Sequence, residues 1–378
     1  MASSASSPVK AAITLTLLAD GAPLSPEIMA TLDEVEVTFD DVERSGFKVS
    51  FHTPRTAASG DAYDEIVKLT PSSQVAFKIV VGIGNVSSLV MDGYVLKQSV
   101  GLDPSGEGTV TLYGQDMSVL MDVLDKHKVF EQMHEGSIAK EVLQAYASSF
   151  DVVVKDPEDP YTPTQDAHKK ATQLTTDYKY LRSLATSLGY RFYLKPDLKK
   201  STMYWGPPEV AASAGGPLVL AVEPFGNLRS ISVDYDALVP VNRWIALQDP
   251  EDPGDVLAIV TVDAASTAYP PLGDSDVLST QATIRNEFSP NTSGSPPDVA
   301  KARAQARVDL SSWAVSAQGE VDVSRYGFLL QPCTTVELQG VHASHEGKYY
   351  VKSVTHKIRP GSYTQSFVLK RGGLASAA

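Results

Sequence analysis

Cysteine is almost missing from this chain: Cys333 is alone among 378 residues. One thiol makes no intrachain disulfide and no thiolate zinc cluster, so folding in a reducing cytoplasm fits. Long apolar runs are also missing. No stretch reaches the roughly 18 consecutive apolar residues of a membrane span, so no membrane insertion is expected. The start, Met1 to Ser7, lacks the basic head and apolar run of a signal peptide and reads as a disordered arm. The tail, residues 372–378, reads as flexible. Positive charge is in deficit: 32 Lys and Arg against 45 Asp and Glu give a net charge of −13. The most basic stretch, Lys195 to Lys200, is short. Direct nucleic-acid binding, which leaves a basic footprint, is not expected.

The motifs of common chemistry are absent too. There is no Gly-x-Ser-x-Gly elbow, no His-Glu-x-x-His and no phosphate loop, and Gly82-Ile83-Gly84 lacks the third glycine of a dinucleotide fingerprint. Seven histidines occur: His52, His127, His134, His168, His342, His345 and His356. The tightest pair is His342 and His345. On a helix they could share a metal, but Gly340 and Gly347 around them suggest a hairpin loop, and a zinc site needs three or four ligands. Cys333 follows Pro332 at a strand edge, where a buried inert thiol is the commoner state. The string Asp-Pro-Glu-Asp-Pro occurs at 156–160 and at 249–253. Both copies read as acidic turns, the competing reading being a calcium loop. No catalytic residue, metal ligand or cofactor is assigned, and an enzyme is not expected.

What is present is periodicity. Ile13 to Leu17 alternates and then meets Asp20-Gly21, a turn signal. Val35 to Phe39, Val75 to Ile79 and Thr109 to Tyr113 alternate as well, which predicts half-buried antiparallel strands. Over 117–215 the pattern becomes helical. Met117, Leu120, Met121 and Leu124 form one stripe; Ile138, Val142, Tyr146 and Phe150 form another. A third holds Tyr180, Leu181, Leu184, Ala185 and Leu188, with Thr176 or Asp177 as cap and Gly189 as stop. Strands are predicted at 190–194 and 202–205. From about 217 the pattern is β again: Ile231 to Tyr235 alternates and Val256 to Val262 reads as a more buried run. A loop over 287–297 precedes a helix over 298–313, capped by Asp298, with Val299, Ala302, Ala306, Leu310 and Trp313 as its stripe. Strands follow at 320–324, 335–338, 349–356 and 365–369. Tyr349-Tyr350 and Tyr190 to Tyr193 read as core on one face and interface on the other.

The fold class is therefore mainly β with an α/β insert. The expected division is an arm (1–7), a first β-barrel domain (8–116), an inserted α/β domain (117–215), a second β-barrel domain (217–371) and a tail (372–378).

The closing segment carries a resemblance. Leu330-Gln331-Pro332-Cys333 precedes a strand with Val336 and Leu338. Then come Gly347-Lys348-Tyr349-Tyr350-Val351, His356, and Gly361-Ser362-Tyr363-Thr364. This resembles the signature of the phage late control gene D proteins, which include Mu-like and P2-like baseplate hubs and the hub part of VgrG-type spikes. A second patch, Leu181, Leu184, Ala185, Gly189 and Tyr190, resembles that family's helix-then-strand element. Cys333 departs from the pattern, standing where the family has Gly; because Cys resists φ > 0, a different turn geometry is expected there. The resemblance implies two barrel-like hub domains per chain and a homotrimer whose six barrels join a sixfold tail-tube protein to a threefold spike. It implies other baseplate proteins as partners; because no spike domain or long β-helix repeat occurs within the 378 residues, a separate spike protein is expected. Assembly in the bacterial cytoplasm, into a phage tail or phage-tail-like particle, follows. A peptidoglycan hydrolase of a tail and a carbohydrate- or receptor-binding β protein are the competing functions.

Overall fold

The computed structural model describes residues 11–54, 60–70, 74–104, 107–156, 171–213, 215–221, 225–248, 256–273, 275–276, 283–289 and 297–374. Its frame is one mostly antiparallel sheet of 13 strands. In the N-terminal half the spatial order is Leu32–Asp40, Gly46–Pro54, Glu107–Asp116, Val86–Leu102, Ala76–Ile83, Ile13–Ala19. Alternate residues (Val35, Val37, Val49, Phe51, Phe77, Ile79, Leu112) point into one core. The rings of Phe47 and Phe77 stack with centroids 5.3 Å apart. Their strands are three pairings apart, roughly 14 Å along a flat sheet. The sheet therefore wraps on itself into a barrel. Asp20 (φ 49) and Gly21 (φ 82) make the tight turn that returns Ala19 to Ala22, both in the left-handed conformation such hairpins need.

The C-terminal half forms a second barrel from Leu218–Val219, Leu228–Tyr235, Val315–Asp322, Thr335–Gln339, Gly347–Arg359 and Ser362–Arg371. Asn227 closes it: its N–H donates to the Val219 carbonyl (3.1 Å) and its side-chain oxygen accepts from the Val219 N–H (2.8 Å). Val315, Ala317, Tyr349, Val351, Val354, Phe367 and Leu369 fill the interior.

The two barrels share a hairpin. Gly347–Arg359 pairs first with Thr335–Leu338; its register then skips Lys352, and from Ser353 to Ile358 it pairs with residues 40 down to 35. A bulge bends a strand and increases its twist. Here it lets one strand serve both barrels, and Ile358 and Tyr363 from the same hairpin reach the first core.

Between the barrels lies a small α/β unit with its own core, including Ile138, Phe150, Leu181, Phe192 and Trp205. The helix Asp177–Ser187 starts at Thr176, whose hydroxyl accepts from Lys179 N–H (3.4 Å). It ends at Gly189 (φ 71), with Gly189 N–H bonded to Thr186 O and Tyr190 N–H to Ala185 O. The stripe at Met117, Leu120, Met121 and Leu124 does not make an α-helix. Only Met117–Met121 coils, as one 3₁₀ turn, and Leu124 is 67% exposed. Asp122 ends the turn because its carboxylate is taken by Arg44 and Thr176, which draws the chain into a ribbon pairing 128–130 with 171–173.

A second excursion leaves the C-terminal barrel. Val241–Gln248, Val256–Val262 and Arg285–Phe288 form a three-stranded sheet under the helix Pro297–Ser312. Several expectations change here. Glu287 and Phe288 are strand, so the loop expected from 287 begins later. Asp298 is the second helical residue, not the cap. Ala302 is exposed; Ala300, Ala304 and Val308 instead face Ile245 and Val262, while Val299 and Ala306 are buried on the other flank. Over 259–262 only one face of the strand meets the helix: Ile259 is 63% exposed and Val262 buried. The strand expected over 320–324 ends at Asp322, whose carboxylate accepts from Ser324 N–H (3.0 Å) and starts the helical turn Val323–Tyr326.

Candidate functional site

Most motif residues of the closing segment are core. Leu330, Val336, Leu338, Tyr349 and Val351 belong to the second barrel's interior, and Pro332 is half-buried beside them. The loop 329–330 is pinned by Gln365, which accepts from Leu330 N–H and donates to Leu330 C=O, both at 2.9 Å. His356 sits between the barrels, 5% exposed, with Nδ1 2.6 Å from the Tyr363 hydroxyl. Burial pushes its pKa down to about 3, so the imidazole is neutral. Gly361 (φ 77) turns the hairpin between Arg359 and Ser362. Gly347 (φ 112) passes the buried Arg371, whose guanidinium donates to the carbonyls of Glu346 (2.7 Å) and Ser344 (2.8 Å) and stacks over Tyr349.

That clamp fixes the loop holding His342 and His345. Their Nδ1 atoms flank the Ser344 hydroxyl at 2.8 and 2.9 Å. The described residues hold no group of three or more His, Cys, Asp or Glu placed to bind a metal ion. His168, most of the acidic turn at 156–160 and all of that at 249–253 lie outside the described residues.

The two motif patches meet at one joint. Asp41, from the end of a first-barrel strand, is fully buried and accepts from Arg191 Nε of the α/β unit and from the Tyr350 hydroxyl (3.1 Å). Arg191 also donates to Gly189 O (3.2 Å), as does the Tyr269 hydroxyl (2.5 Å). Trp313 packs between Tyr350 and Tyr269, with centroids at 4.6 and 5.0 Å. Burial pushes the Asp41 carboxyl up against the pull of Arg191. Burial opposes the charge on Arg191 as well, but the Asp41 carboxylate outweighs it and raises the guanidinium's pKa. Leu181 and Ala185 anchor the helix behind this joint, with Leu184 partly buried; Tyr190 packs edge-on to Trp205, and Gly189 lies where a Cβ would come within 3.3 Å of Ala306.

Cys333 lies against the joint, 3% exposed, with Phe39, Tyr193 and Tyr204. It takes φ 58, the left-handed conformation that glycine adopts freely, so the altered turn expected for a side chain here does not occur. The turn is held by Cys333 N–H to Val351 O (2.9 Å) and Val351 N–H to Thr334 O (2.8 Å). Burial, with Asp41 nearby, pushes the thiol up to about 12, which removes the thiolate a nucleophile requires. Tyr349, Tyr350, Phe192 and Tyr193 are buried on both faces by the chain itself, not split between core and interface. Asp41 and Arg371 carry no sequence signal: their importance comes from distant partners, and nothing in their flanking residues marks it; Gln365 falls in the closing run that carries the resemblance, but its bond to Leu330 is not readable there.

No protein family matches the chain in sequence, and no curated protein does. Solved structures do match in fold. A 43 kDa tail protein of prophage MuSo2 from Shewanella oneidensis aligns at 15% identity over 96% of this chain and 99% of its own, with a TM-score of 0.65. A tail protein from Neisseria meningitidis aligns at 13% identity over 95% and 96%, with a TM-score of 0.61. An Escherichia coli protein described as a component of the type VI secretion system, with structural similarity to T4 bacteriophage tail proteins, aligns at 9% identity over 95% and 76%, with a TM-score of 0.55. The chain thus shares the mainly β fold of these proteins over 95–96% of its length.

Proposed function

We propose that this chain is the structural baseplate hub of a contractile phage tail or phage-tail-like injection system, acting by shape and not by catalysis. The observation that carries the reading is the continuous sheet running through two barrels of one chain, in a fold that two tail proteins share over nearly their whole length. Three copies would present six barrels around one axis and so meet a sixfold tail tube on one side and a threefold spike on the other. In this reading residues 8–116 and 217–371 are the hub domains and 117–215 is carried outside the ring. On the same reading the motif residues of the closing segment, Tyr350 and His356 among them, serve to hold the barrels together. The protein would be made in the bacterial cytoplasm and enter the particle with a separate spike protein, a tail-tube protein and other baseplate proteins.

The test is co-expression with a spike protein from the same genome. A complex of three hub chains with three spike chains, measured by native mass spectrometry, is the expected result. Failure of the two to co-purify, with the hub chain monomeric, would refute the reading.

A further inference from the structure

Most of the large sheet is one antiparallel run. Eight consecutive strands, from Leu228–Tyr235 through Val315–Asp322, Ser362–Arg371, Gly347–Arg359, Leu32–Asp40, Gly46–Pro54 and Glu107–Asp116 to Val86–Leu102, cross both barrels. The face turned away from the two cores is mainly polar: Ser232, Gln318, Ser366, Thr355, Thr38 and Gln115 lie on it. Among the described residues both ends of the run lack a second partner strand. Leu228–Tyr235 is laddered only to Val315–Asp322, and residues 97–102 only to 108–113, because Ala76–Ile83 stops at the level of Tyr94.

Two hydrogen bonds show which backbone groups these edges turn outward. Asp236 N–H donates to Ala314 O, so Ser230, Ser232 and Asp234 also aim their backbone at that neighbour, and Ile231, Val233 and Tyr235 aim theirs at the open side. Asp103 N–H donates to Glu107 O, so Gln98, Val100 and Leu102 aim theirs at the open side. In both strands these outward residues lie on the core face. Ile231 and Val233 pack on the second core. The Gln98 amide reaches the carbonyls of Ile66 and Val67 (3.2 Å each) under the first. Val100, Leu102 and Tyr235 continue the two core faces to the edges and are 43%, 52% and 40% exposed. Bonding edge to edge therefore sets core face beside core face and polar face beside polar face. A slip of either strand by one residue would cross them.

We infer that residues 97–102 of one copy add antiparallel to residues 229–234 of the next, with Val100 opposite Ile231. Direction allows it. Over eight alternating strands the first and the last run oppositely, so a copy turned about an axis along the sheet brings its first strand antiparallel to its neighbour's last. Charge selects the register: Ile231 opposite Val100 also places Ser232 opposite Ser99 and the exposed Asp234 opposite the exposed Lys97. Within one chain the pairing lines carry Ser230 across to Tyr94, whereas the join sets Ser230 of the next copy opposite Gly101. A sheet needs such a stagger to close into a barrel. The second barrel of each copy thus meets the first barrel of the next, the cores lie outside, and the polar face lines the opening. The inference rests on the hub reading and adds to it the interface that joins the copies.

Ser99→Cys/Ser232→Cys tests it. In this register the two positions oppose each other as a non-hydrogen-bonded pair, with Cα atoms about 4.5 Å apart, close enough for a disulfide. Both serines are exposed, and the native Cys333 is buried. The trimer, with a spike protein added where the chain alone is monomeric, is oxidised and run on a denaturing gel. Covalent dimer and trimer, and nothing larger, are expected. Ser99→Cys/Ser230→Cys, out of register, is expected to link far less. Lys97→Asp and Asp234→Lys, each at an exposed site, are expected to raise the concentration needed for assembly about tenfold or more, and their combination to restore it to within about threefold. A trimer that fails to link through positions 99 and 232, or in which the combined reversal recovers nothing, overturns this interface and leaves the hub reading in place. A chain monomeric with and without the spike protein overturns both.

Discussion

Cys333 occupies a left-handed backbone position that costs an L-residue about 1–2 kcal/mol. Burial alone would rank valine above alanine there. The backbone reverses the order, because a β-branched side chain tolerates φ > 0 least. Cys333→Val is predicted to be less stable than Cys333→Ala by about 1–3 kcal/mol, read from urea midpoints. His356 gives a second prediction at this scale. An unfolded histidine titrates near 6.5, whereas in the folded chain burial holds the pKa to about 3. Above pH 6.5 the imidazole is neutral in both states and adds no pH dependence. Below it the unfolded chain takes up a proton that the folded chain refuses until about pH 3, so stability falls by about 1.4 kcal/mol per pH unit. His356→Gln keeps a partner for Tyr363 and removes the titration, so its stability should fall less steeply than wild type between pH 6 and pH 4. Equal slopes would contradict the assignment. The sequence marked both residues through their motif, but neither the φ of one nor the burial of the other has a local signature.

Elements here are tied by a few buried polar groups. Gln365, itself fully buried, satisfies both backbone groups of Leu330. Gln365→Ala would leave two buried groups unpaired, at about 1–3 kcal/mol each. Arg191→Met would strand the Asp41 carboxylate and is predicted to cost about 3–5 kcal/mol. Adding Asp41→Asn should recover part of that loss, so the double variant loses less than the two single changes summed. Strict additivity by chemical denaturation would argue against the pair as the joint of barrel and insert. Legibility follows how local each cause is. Alternation such as Val35 to Phe39, and the cap-and-stop of Thr176 and Gly189, act within a few residues and were readable. The stripe from Met117 to Leu124 failed because Asp122 is captured by Arg44, 78 positions away. The helix at 297–312 faced differently from its apparent stripe because two bodies pack on it, not one.

At the scale of the whole molecule, the order of a β half, an α/β insert and a second β half was legible from periodicity. That both halves form one sheet was not, since it depends on a one-residue bulge at Lys352 and on pairing between positions more than 300 residues apart. The joint that brings Tyr350 and Arg191 together on Asp41 was hidden for the same reason. This continuity links the two barrels of the chain into one wide unit, which is what the proposed hub role asks of it. The measurement that tests the account most directly is the mass of the purified chain in solution, by light scattering, with negative-stain images of the same sample and of the sample with spike protein added. The account predicts a particle near three times 40.5 kDa, seen as a ring with a central opening, alone or once the spike is present. A persistent monomer that forms no complex with the spike would contradict it.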